Sequence, residues 1–198
     1  PAPACVNGVC MDLHDFDIVA QSYDIYVETL YQGDMKKRVT DFHLGLAQSE
    51  GKGGILDIGC GTGSIAIPLA ESGLRVFAFD ISEAMIRRFR AKIDGLAPSI
   101  RDRIAASVQS MVDFRYDRSF SLAMIPRSGF MHLLTAEDQR RALTNINRHL
   151  EAAGVLTLNT FDPNIPYIAN HCRTPGDFEK RTAFVSDSGD VVEIFNAT

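Results

Sequence analysis

One stretch of this chain, ILDIGCGTGSIAIPLA at residues 55–70, restricts the fold more than any other. An apolar run ends in Asp57, and glycines then alternate at positions 59, 61 and 63 before helix-like sequence resumes. Glycine permits a positive φ and leaves no Cβ between the backbone and a neighbouring group. The stretch therefore predicts a strand, a glycine loop and a helix, with a flat polar ligand lying on the loop.

A second acidic residue indicates that this ligand contains a ribose. Asp80 follows the next apolar run, residues 74–79, and stands 21 positions after Gly59. In parallel α/β folds an acid at about this spacing holds ribose hydroxyls. We therefore expect a nucleoside-containing cofactor.

Two cofactors fit this pattern, and Asp57 favours one of them. NAD is a candidate because Gly61, Gly63 and Ala66 satisfy the dinucleotide pattern GxGxxA. However, a carboxylate at position 57 would repel a pyrophosphate and attract an ammonium group. S-adenosylmethionine carries such an ammonium group, so the residues favour it over NAD.

Five stretches together carry a family resemblance. The run ILDIGCGTG at residues 55–63 matches the motif (I/L)LDxGxGxG. The other four are AFDISEAMI at 78–86, QSMVDF at 109–114, FSLAMIPRSGFMHLLTAEDQRRAL at 120–143 and GVLTLNTFDP at 154–163. With these motifs, over residues 23–163, the chain resembles the class I S-adenosylmethionine-dependent methyltransferases.

The resemblance implies a site for S-adenosylmethionine, which would leave as S-adenosylhomocysteine. The residues implied to contact the cofactor are Tyr23, Asp57, Gly59, Cys60, Gly61, Gly63, Asp80, Ile81, Ser110, Met111 and Ile125. Asp80 would hold the ribose, and Ile81 and Met111 would flank the adenine. Ser110 stands where relatives often carry an acid, so we expect somewhat weaker cofactor binding, because a hydroxyl accepts without charge assistance. Tyr23 would belong to a lid.

The methyl acceptor is expected at the carboxyl ends of the strands, where open α/β sheets bind ligands. This expectation puts Arg127, Ser128 and Phe130 on the substrate side. His132 is the candidate general base, because an imidazole can take a proton from an amine or a hydroxyl at neutral pH; a packed structural histidine is the alternative. Cys60 could be a nucleophile, but a small buried thiol usually behaves as a hydrophobic group.

A small molecule with a nitrogen or oxygen acceptor is the predicted substrate. After the fourth strand residues 125–128 read IPRS, which differs from the (D/N)PP(Y/F) of base-amino methyltransferases. Glu137 and Asp138 lie in a helix and do not form the acidic loop of protein arginine methyltransferases. No metal is expected. The alternatives are a non-catalytic S-adenosylmethionine-binding module and, less favoured, an NAD-dependent oxidoreductase.

Composition excludes other classes of partner. The chain has 198 residues, 45% of them hydrophobic, which is enough for one well-buried core. A net charge of −5 gives no footprint for nucleic acid. No run of eighteen apolar residues is present, and the opening PAPACVNGVC does not resemble a secretory signal. We therefore expect a cytoplasmic protein that binds neither membrane nor nucleic acid.

Strand-like and helix-like runs alternate over residues 51–163, the expected cofactor-binding core. The alternation predicts an α/β fold with a Rossmann-like, doubly wound parallel sheet in a single domain spanning 1–198. The predicted strands are a first one from residue 55 and then 74–79, 104–108, 120–125 and 155–161, and the predicted helices are 64–72, 82–96 and one from 135 that ends before 154.

Two helices have predicted buried stripes. In the helical lid at residues 15–50, the stripe consists of Met35, Val39, Phe42 and Leu46. In the helix that starts at Thr135, the stripe consists of Leu143, Ile146 and Leu150. Ser82 and Thr135 are the predicted N-caps.

Residues 164–198 are predicted to form a turn-rich segment and an antiparallel hairpin. Polar-apolar stretches at 178–186 and 191–195 flank the turn sequence DSGD. Only five parallel strands precede the hairpin, whereas the family's sheet normally has seven, so the sheet is expected to be short at its C-terminal side. An unpaired fifth strand favours association, which leaves a homodimer open.

Overall fold

A five-stranded parallel sheet forms the centre of the larger of two units in the computed structural model. The structure describes residues 4–6, 9–11, 16, 20–30, 34–160, 178–185 and 191–197. The larger unit comprises residues 31–160, and the smaller one comprises residues 1–30 and 161–198.

The elements follow one another in chain order. The strands are β1 (Ala4–Val6), β2 (Val9–Met11), β3 (Ile55–Ile58), β4 (Val76–Asp80), β5 (Ile104–Val108), β6 (Phe120–Ile125), β7 (Leu150–Leu158), β8 (Phe178–Val185) and β9 (Val191–Ala197). The α-helices are α1 (Tyr23–Leu30), α2 (Met35–Glu50), α3 (Ala66–Glu71), α4 (Glu83–Asp94), α5 (Pro98–Arg101) and α6 (Ala136–His149). Short 3₁₀ segments cover Ala20–Ser22, Gly51–Gly53 and Gly129–His132.

The central sheet has the strand order β5-β4-β3-β6-β7, and every neighbouring pair is parallel. The chain starts at the central strand β3, moves outward to β4 and β5, and returns to the other side of β3 with β6 and β7. The predicted Rossmann-like sheet is therefore confirmed. Its order reverses between β3 and β6, and ligands of such sheets bind at the carboxyl ends of the strands beside that point.

Helices cover both faces of the sheet, as a doubly wound fold requires. Alternate side chains of β3 point to opposite faces: Ile55 packs in a cluster with buried residues of α2, α3 and α4, whereas Leu56 and Ile58 pack in a second cluster with Ile146 of α6. By the same alternation Asp57 points to the face of Ile55, which α2 covers.

Both predicted N-caps are confirmed. The Ser82 hydroxyl accepts a hydrogen bond from the Met85 N–H at 3.1 Å, and α4 follows. The Thr135 hydroxyl oxygen accepts one from the Asp138 N–H at 3.1 Å, and α6 follows. Each cap satisfies a backbone donor that the first helical turn would otherwise leave without a partner.

The predicted buried face of α2 is wrong at two positions. Met35 and Phe42 are 52% and 57% exposed, and the buried residues of this helix are His43 and Ala47. The reason is close packing against β3. The side chain of Ile55 would lie 2.8 Å from a Cβ added at Gly51 and shares a cluster with Ala47, so small residues face the sheet there.

Helix α6 also differs from its predicted stripe. Leu143 is 39% exposed, whereas Ala142 and Ile146 are buried. Leu150, the third predicted stripe residue, begins β7, and this strand starts five residues earlier than the predicted 155. A register irregularity between Phe120 and Leu122 accompanies this early pairing of β6 with β7.

Several boundaries shift by a few residues. Strand β4 runs from Val76 to Asp80 instead of over 74–79, and α3 is shorter than the predicted 64–72. The short helix α5 was not predicted. Residue 161, the last of the predicted fifth strand, lies outside the described residues.

The smaller unit contains two antiparallel strand pairs. Strands β8 and β9 pair as the predicted hairpin, although its turn at 187–190 lies outside the described residues. Strands β1 and β2 form a second pair that was not predicted. In the same unit the Tyr23 ring meets the Phe16 ring edge-on, with 6.5 Å between centroids.

Among the described residues, the helices are all too short or too polar to cross a membrane. In the central sheet β7 is an edge strand. Self-association through that edge stays a prediction, which gel filtration over a range of protein concentrations tests.

Candidate functional site

The glycine loop folds across the ends of two neighbouring strands. Gly59, Gly61 and Gly63 have φ values of 69°, 54° and 81°, a backbone region that glycine adopts readily. The N–H groups of Gly59 and Cys60 both donate to the carbonyl of Phe79 in β4, at 2.9 and 3.0 Å. The loop that follows β3 is thereby fixed against the adjacent strand.

Asp80 connects this loop to the start of α4. One carboxylate oxygen accepts the N–H of Gly61 at 2.8 Å and the other accepts the N–H of Ser82 at 2.9 Å. Burial raises the pKa of Asp80, while its backbone hydrogen bonds and the charge of His132 lower that pKa. An ionised carboxylate offers about four acceptor positions, so Asp80 can still accept from a ligand's hydroxyl groups.

Asp57 is the most unusual group at this end of the sheet. Its side chain is buried, and neither carboxylate oxygen has a hydrogen-bond partner among the described residues. Burial raises the pKa of Asp57 to about 7; the charge of Arg127 lowers this pKa and that of Asp80 raises it. A buried carboxylate without donors is costly, so the site fits a ligand that brings a cationic hydrogen-bond donor.

A strained turn follows β6, beside Asp57. Arg127 and Ser128 have φ values of 52° and 61°, and left-handed non-glycine residues cost about 1–3 kcal/mol each. The carbonyl of Ser128 accepts the N–H of Met131 at 2.9 Å, which begins the 3₁₀ segment at Gly129–His132. Such strain concentrates at ligand sites.

His43 is a buried group that the sequence interpretation missed. Its Nδ1 lies 2.7 Å from the carbonyl oxygen of Val39 one turn earlier in α2, so Nδ1 carries the proton. Nε2 is then an acceptor, and it has no hydrogen-bond partner among the described residues. Burial lowers the pKa of His43, and the charge of Arg127 lowers it further. His43 was missed because a histidine breaks an apolar stripe.

The residues predicted to flank the adenine lie at the same edge. Ile81 is 68% exposed directly after β4. The Cε of Met111 would lie 3.9 Å from a Cβ added at Gly59. The Ser110 hydroxyl accepts the N–H of Val112 at 3.3 Å. Ile125 is fully buried in the second core cluster.

Four predicted residues remain to be placed, namely Phe130, His132, Cys60 and Tyr23. Phe130 packs on the second core cluster, and His132 is exposed, close enough to Asp80 for its charge to act on that carboxylate. Burial raises the pKa of the Cys60 thiol well above its usual range, and Asp57 and Asp80 add to this rise. A thiol held protonated is a poor nucleophile, which favours the packing role. Tyr23 belongs to the smaller unit.

A glycine loop and two acids at the switch point of a parallel sheet are features of nucleoside-binding α/β proteins. The model of the methyltransferase domain family matches residues 55–154, and the chain belongs to this family. The class expected from the sequence, the class I S-adenosylmethionine-dependent methyltransferases, is confirmed.

Similar proteins include three methyltransferases. Cypemycin N-terminal methyltransferase of a Streptomyces species is 35% identical over 112 residues, 55% of this chain and 42% of that protein. Glycine N-methyltransferase of Mus musculus is 27% identical over 163 residues, 74% of this chain and 54% of that protein. The crystal structure of the glycopeptide N-methyltransferase MtfA with S-adenosyl-L-methionine superposes with a TM-score of 0.55 at 26% identity, over 60% of this chain and 48% of MtfA. The chain thus spans about half the length of the curated relatives it matches.

Proposed function

We propose that this chain binds S-adenosylmethionine and transfers its methyl group to a nitrogen or oxygen atom of a small molecule, with an amine as the favoured acceptor. The observation that carries the proposal is the buried carboxylate of Asp57, which has no hydrogen-bond partner among the described residues. An α-ammonium group would supply both the charge and the donors that this carboxylate lacks.

The residues around Asp57 fit the rest of the cofactor. The methionyl part would lie along Gly59, Cys60, Gly61 and Gly63, with Ile125 behind it. Asp80 would accept from the ribose hydroxyls, Ile81 and Met111 would flank the adenine, and Ser110 would accept from its amino group. Two features of the structure support this arrangement: the exposure of Ile81 and the proximity of Met111 to Gly59. Tyr23, in the 15–50 segment, is proposed as the lid residue.

When bound, the cofactor supplies an activated methyl group on a sulfonium. The chain then needs only to align the acceptor, exclude water and receive a proton. We assign alignment to Arg127, Ser128 and Phe130, which follow β6 at the carboxyl edge of the sheet. We assign the role of proton acceptor to His132. This residue lies close enough to Asp80, at the same edge, for its charge to lower the pKa of that carboxylate.

An amine is favoured over an oxygen because two of the similar proteins named above are named N-methyltransferases and the third is named an N-terminal methyltransferase. An amine with one free lone pair also needs only modest base assistance, which an exposed imidazole can give. The identity of the molecule that carries the amine is a matter for direct screening.

Calorimetric titration with S-adenosylhomocysteine, S-adenosylmethionine and NAD tests the cofactor. We expect both adenosyl ligands to bind and NAD not to bind. A tritiated-methyl screen over free amino acids, peptide N-termini and catechols then tests the acceptor. Binding without transfer to any acceptor would favour the alternative, a non-catalytic binding module. Tight binding of NAD alone would overturn the proposal.

The His132→Ala substitution is expected to lower kcat by about 100-fold, the usual size of a general-base contribution. The Kd of S-adenosylhomocysteine should change little, because His132 is assigned to the acceptor and not to the cofactor. Steady-state kinetics across pH with the acceptor found above provides the measurement. An unchanged kcat in this variant would leave His132 with a structural role only.

A further inference from the structure

The guanidinium group of Arg127 is partly buried, whereas most arginine side chains lie exposed on protein surfaces. Its Nε and Nη1 atoms are buried, although burying a guanidinium group is costly unless a compensating charge is near. Its backbone and that of Ser128 are both left-handed, with φ values of 52° and 61°. The turn therefore places a permanently charged, partly buried side chain at the end of β6.

Two buried groups lie within reach of that charge. One is Asp57 at the end of β3, and the other is His43 on α2. Strands β3 and β6 are direct neighbours, with Asp57 paired to Met124, and α2 covers the face to which Asp57 points. The three side chains thus come from three elements that meet at the cofactor end of the sheet.

We propose that Arg127 is a positioning residue, the built-in counter-ion of Asp57, which prepares this carboxylate for the ammonium group of the ligand. The proposal rests on the proposed function, in which Asp57 receives that ammonium group. Arg127 acts here through the carboxylate and is distinct from the groups that touch the methyl donor.

The arrangement lets Arg127 act by charge alone. Among the described residues no donor occupies either oxygen of Asp57, so both remain available to the ligand. Without a nearby cation a carboxyl group so buried would be protonated at neutral pH, and a neutral acid would attract an ammonium group only weakly. A guanidinium group stays charged at every working pH.

Other ionisable groups around Asp57 act in the same region. Asp80 raises the pKa of Asp57 by charge repulsion, and the charges of both carboxylates raise the pKa of the Cys60 thiol. His132 acts on Asp80, and His43 faces Arg127 from α2. The test must therefore separate the titration of Asp57 from that of its neighbours.

The experiment compares the wild type with Arg127→Gln, Arg127→Lys and the control Arg140→Gln, an exposed arginine on α6. The Kd of S-adenosylhomocysteine is measured by calorimetry from about pH 5.5 to about pH 8.5, a range in which the ligand's ammonium group stays charged. The titration of the Asp57 carboxyl carbon is followed by NMR in the ligand-free protein, with Asp57→Asn identifying its signal. Thermal unfolding confirms that each variant is folded.

In Arg127→Gln we expect the Asp57 titration to move to higher pH by about one unit, which corresponds to about fivefold weaker binding at pH 7 and about tenfold weaker binding at pH 5.5. The loss should shrink toward pH 8.5, where Asp57 ionises without help. Arg127→Lys should keep most of the affinity because it keeps the charge, and Arg140→Gln should match the wild type.

Two failures are distinguishable. If Asp57→Asn binds S-adenosylhomocysteine as tightly as the wild type, the ammonium role of Asp57 in the proposed function is wrong. If Asp57→Asn loses binding but Arg127→Gln leaves both the Asp57 titration and the pH profile unchanged, the counter-ion role of Arg127 is overturned and the proposed function stands.

Discussion

The Asp57→Asn substitution is expected to make the ligand-free protein progressively more stable relative to the wild type as pH rises from about 4 to about 8, and to weaken S-adenosylhomocysteine binding about 10- to 100-fold. The loss of binding follows from replacing a charge-assisted hydrogen bond with a neutral one. The gain in stability follows from the environment of Asp57, which is fully buried without hydrogen-bond donors among the described residues.

The sign of the stability effect follows from the pKa. In the folded protein the pKa of Asp57 is raised to about 7, whereas an unfolded aspartate has a pKa of about 3.9. The protonated acid is therefore favoured by folding, and its contribution is complete below the unfolded pKa. As pH rises from about 4 through about 7, the free energy of unfolding falls by on the order of 3 kcal/mol. An asparagine does not titrate and avoids this loss.

Urea unfolding at several pH values measures the effect. The difference in free energy of unfolding between Asp57→Asn and the wild type should grow between pH 4 and pH 8. The buried amide carries a cost of its own, but that cost does not change with pH, so the slope isolates the carboxylate. Asp102→Asn, at an exposed carboxylate beside Arg101, is the matched surface control with which the slope of Asp57→Asn is compared. A flat difference for Asp57→Asn would contradict the raised pKa.

This combination is typical of a binding site that is built at the expense of stability. The ligand-free protein keeps a buried acid whose ionisation is unfavourable, and a strained turn that brings a guanidinium group near it. The cost of the buried acid is offset further when the ammonium group of a ligand meets the carboxylate. A large increase in melting temperature on binding of S-adenosylhomocysteine follows from this argument.

The places of the candidate site residues in the fold could be predicted from the sequence where the signal is local. The strand, the glycines and Asp57 are consecutive, so a single window defines them. Asp80 was predictable because the acid ends its own strand, and Ser82 because an N-cap lies next to the helix it starts. In each case the residue and the element that positions it are close in the sequence.

The parts that sequence did not predict depend on tertiary packing. Hydrophobicity favoured Met35 and Phe42 as the buried face of α2, but the buried residues are the small Ala47, which packs with Ile55 of β3, and His43 one turn earlier. The left-handed backbone of Arg127 is equally invisible, because a positive φ at a non-glycine residue has no composition signal. Both missed features lie around Asp57, and departures from local preference of this kind are expected at functional sites.

The Gly63→Ala substitution is expected to lower the free energy of unfolding by about 2–4 kcal/mol. Part of this loss is backbone strain, because Gly63 has a φ of 81° and a side chain in that region costs about 1 kcal/mol or more. The larger part is steric, because a Cβ at Gly63 would overlap the ring of Phe89. Phe89 is fully buried in the core beneath α4, and overpacking such a site costs about 1–3 kcal/mol.

Gly73→Ala is the control that separates the two contributions. Gly73 has a φ of 95°, yet no atom lies within 4 Å of a Cβ added there, so this variant should lose only the backbone part. Urea unfolding of both variants gives the comparison. Calorimetry should show that only Gly63→Ala also weakens S-adenosylhomocysteine binding, because the overlap with Phe89 would displace the glycine loop. Equal losses in the two variants would mean that the loop and α4 separate easily. Gly63 would then be required only for its backbone conformation, and the close contact between the loop and Phe89 would not stabilise the proposed cofactor site.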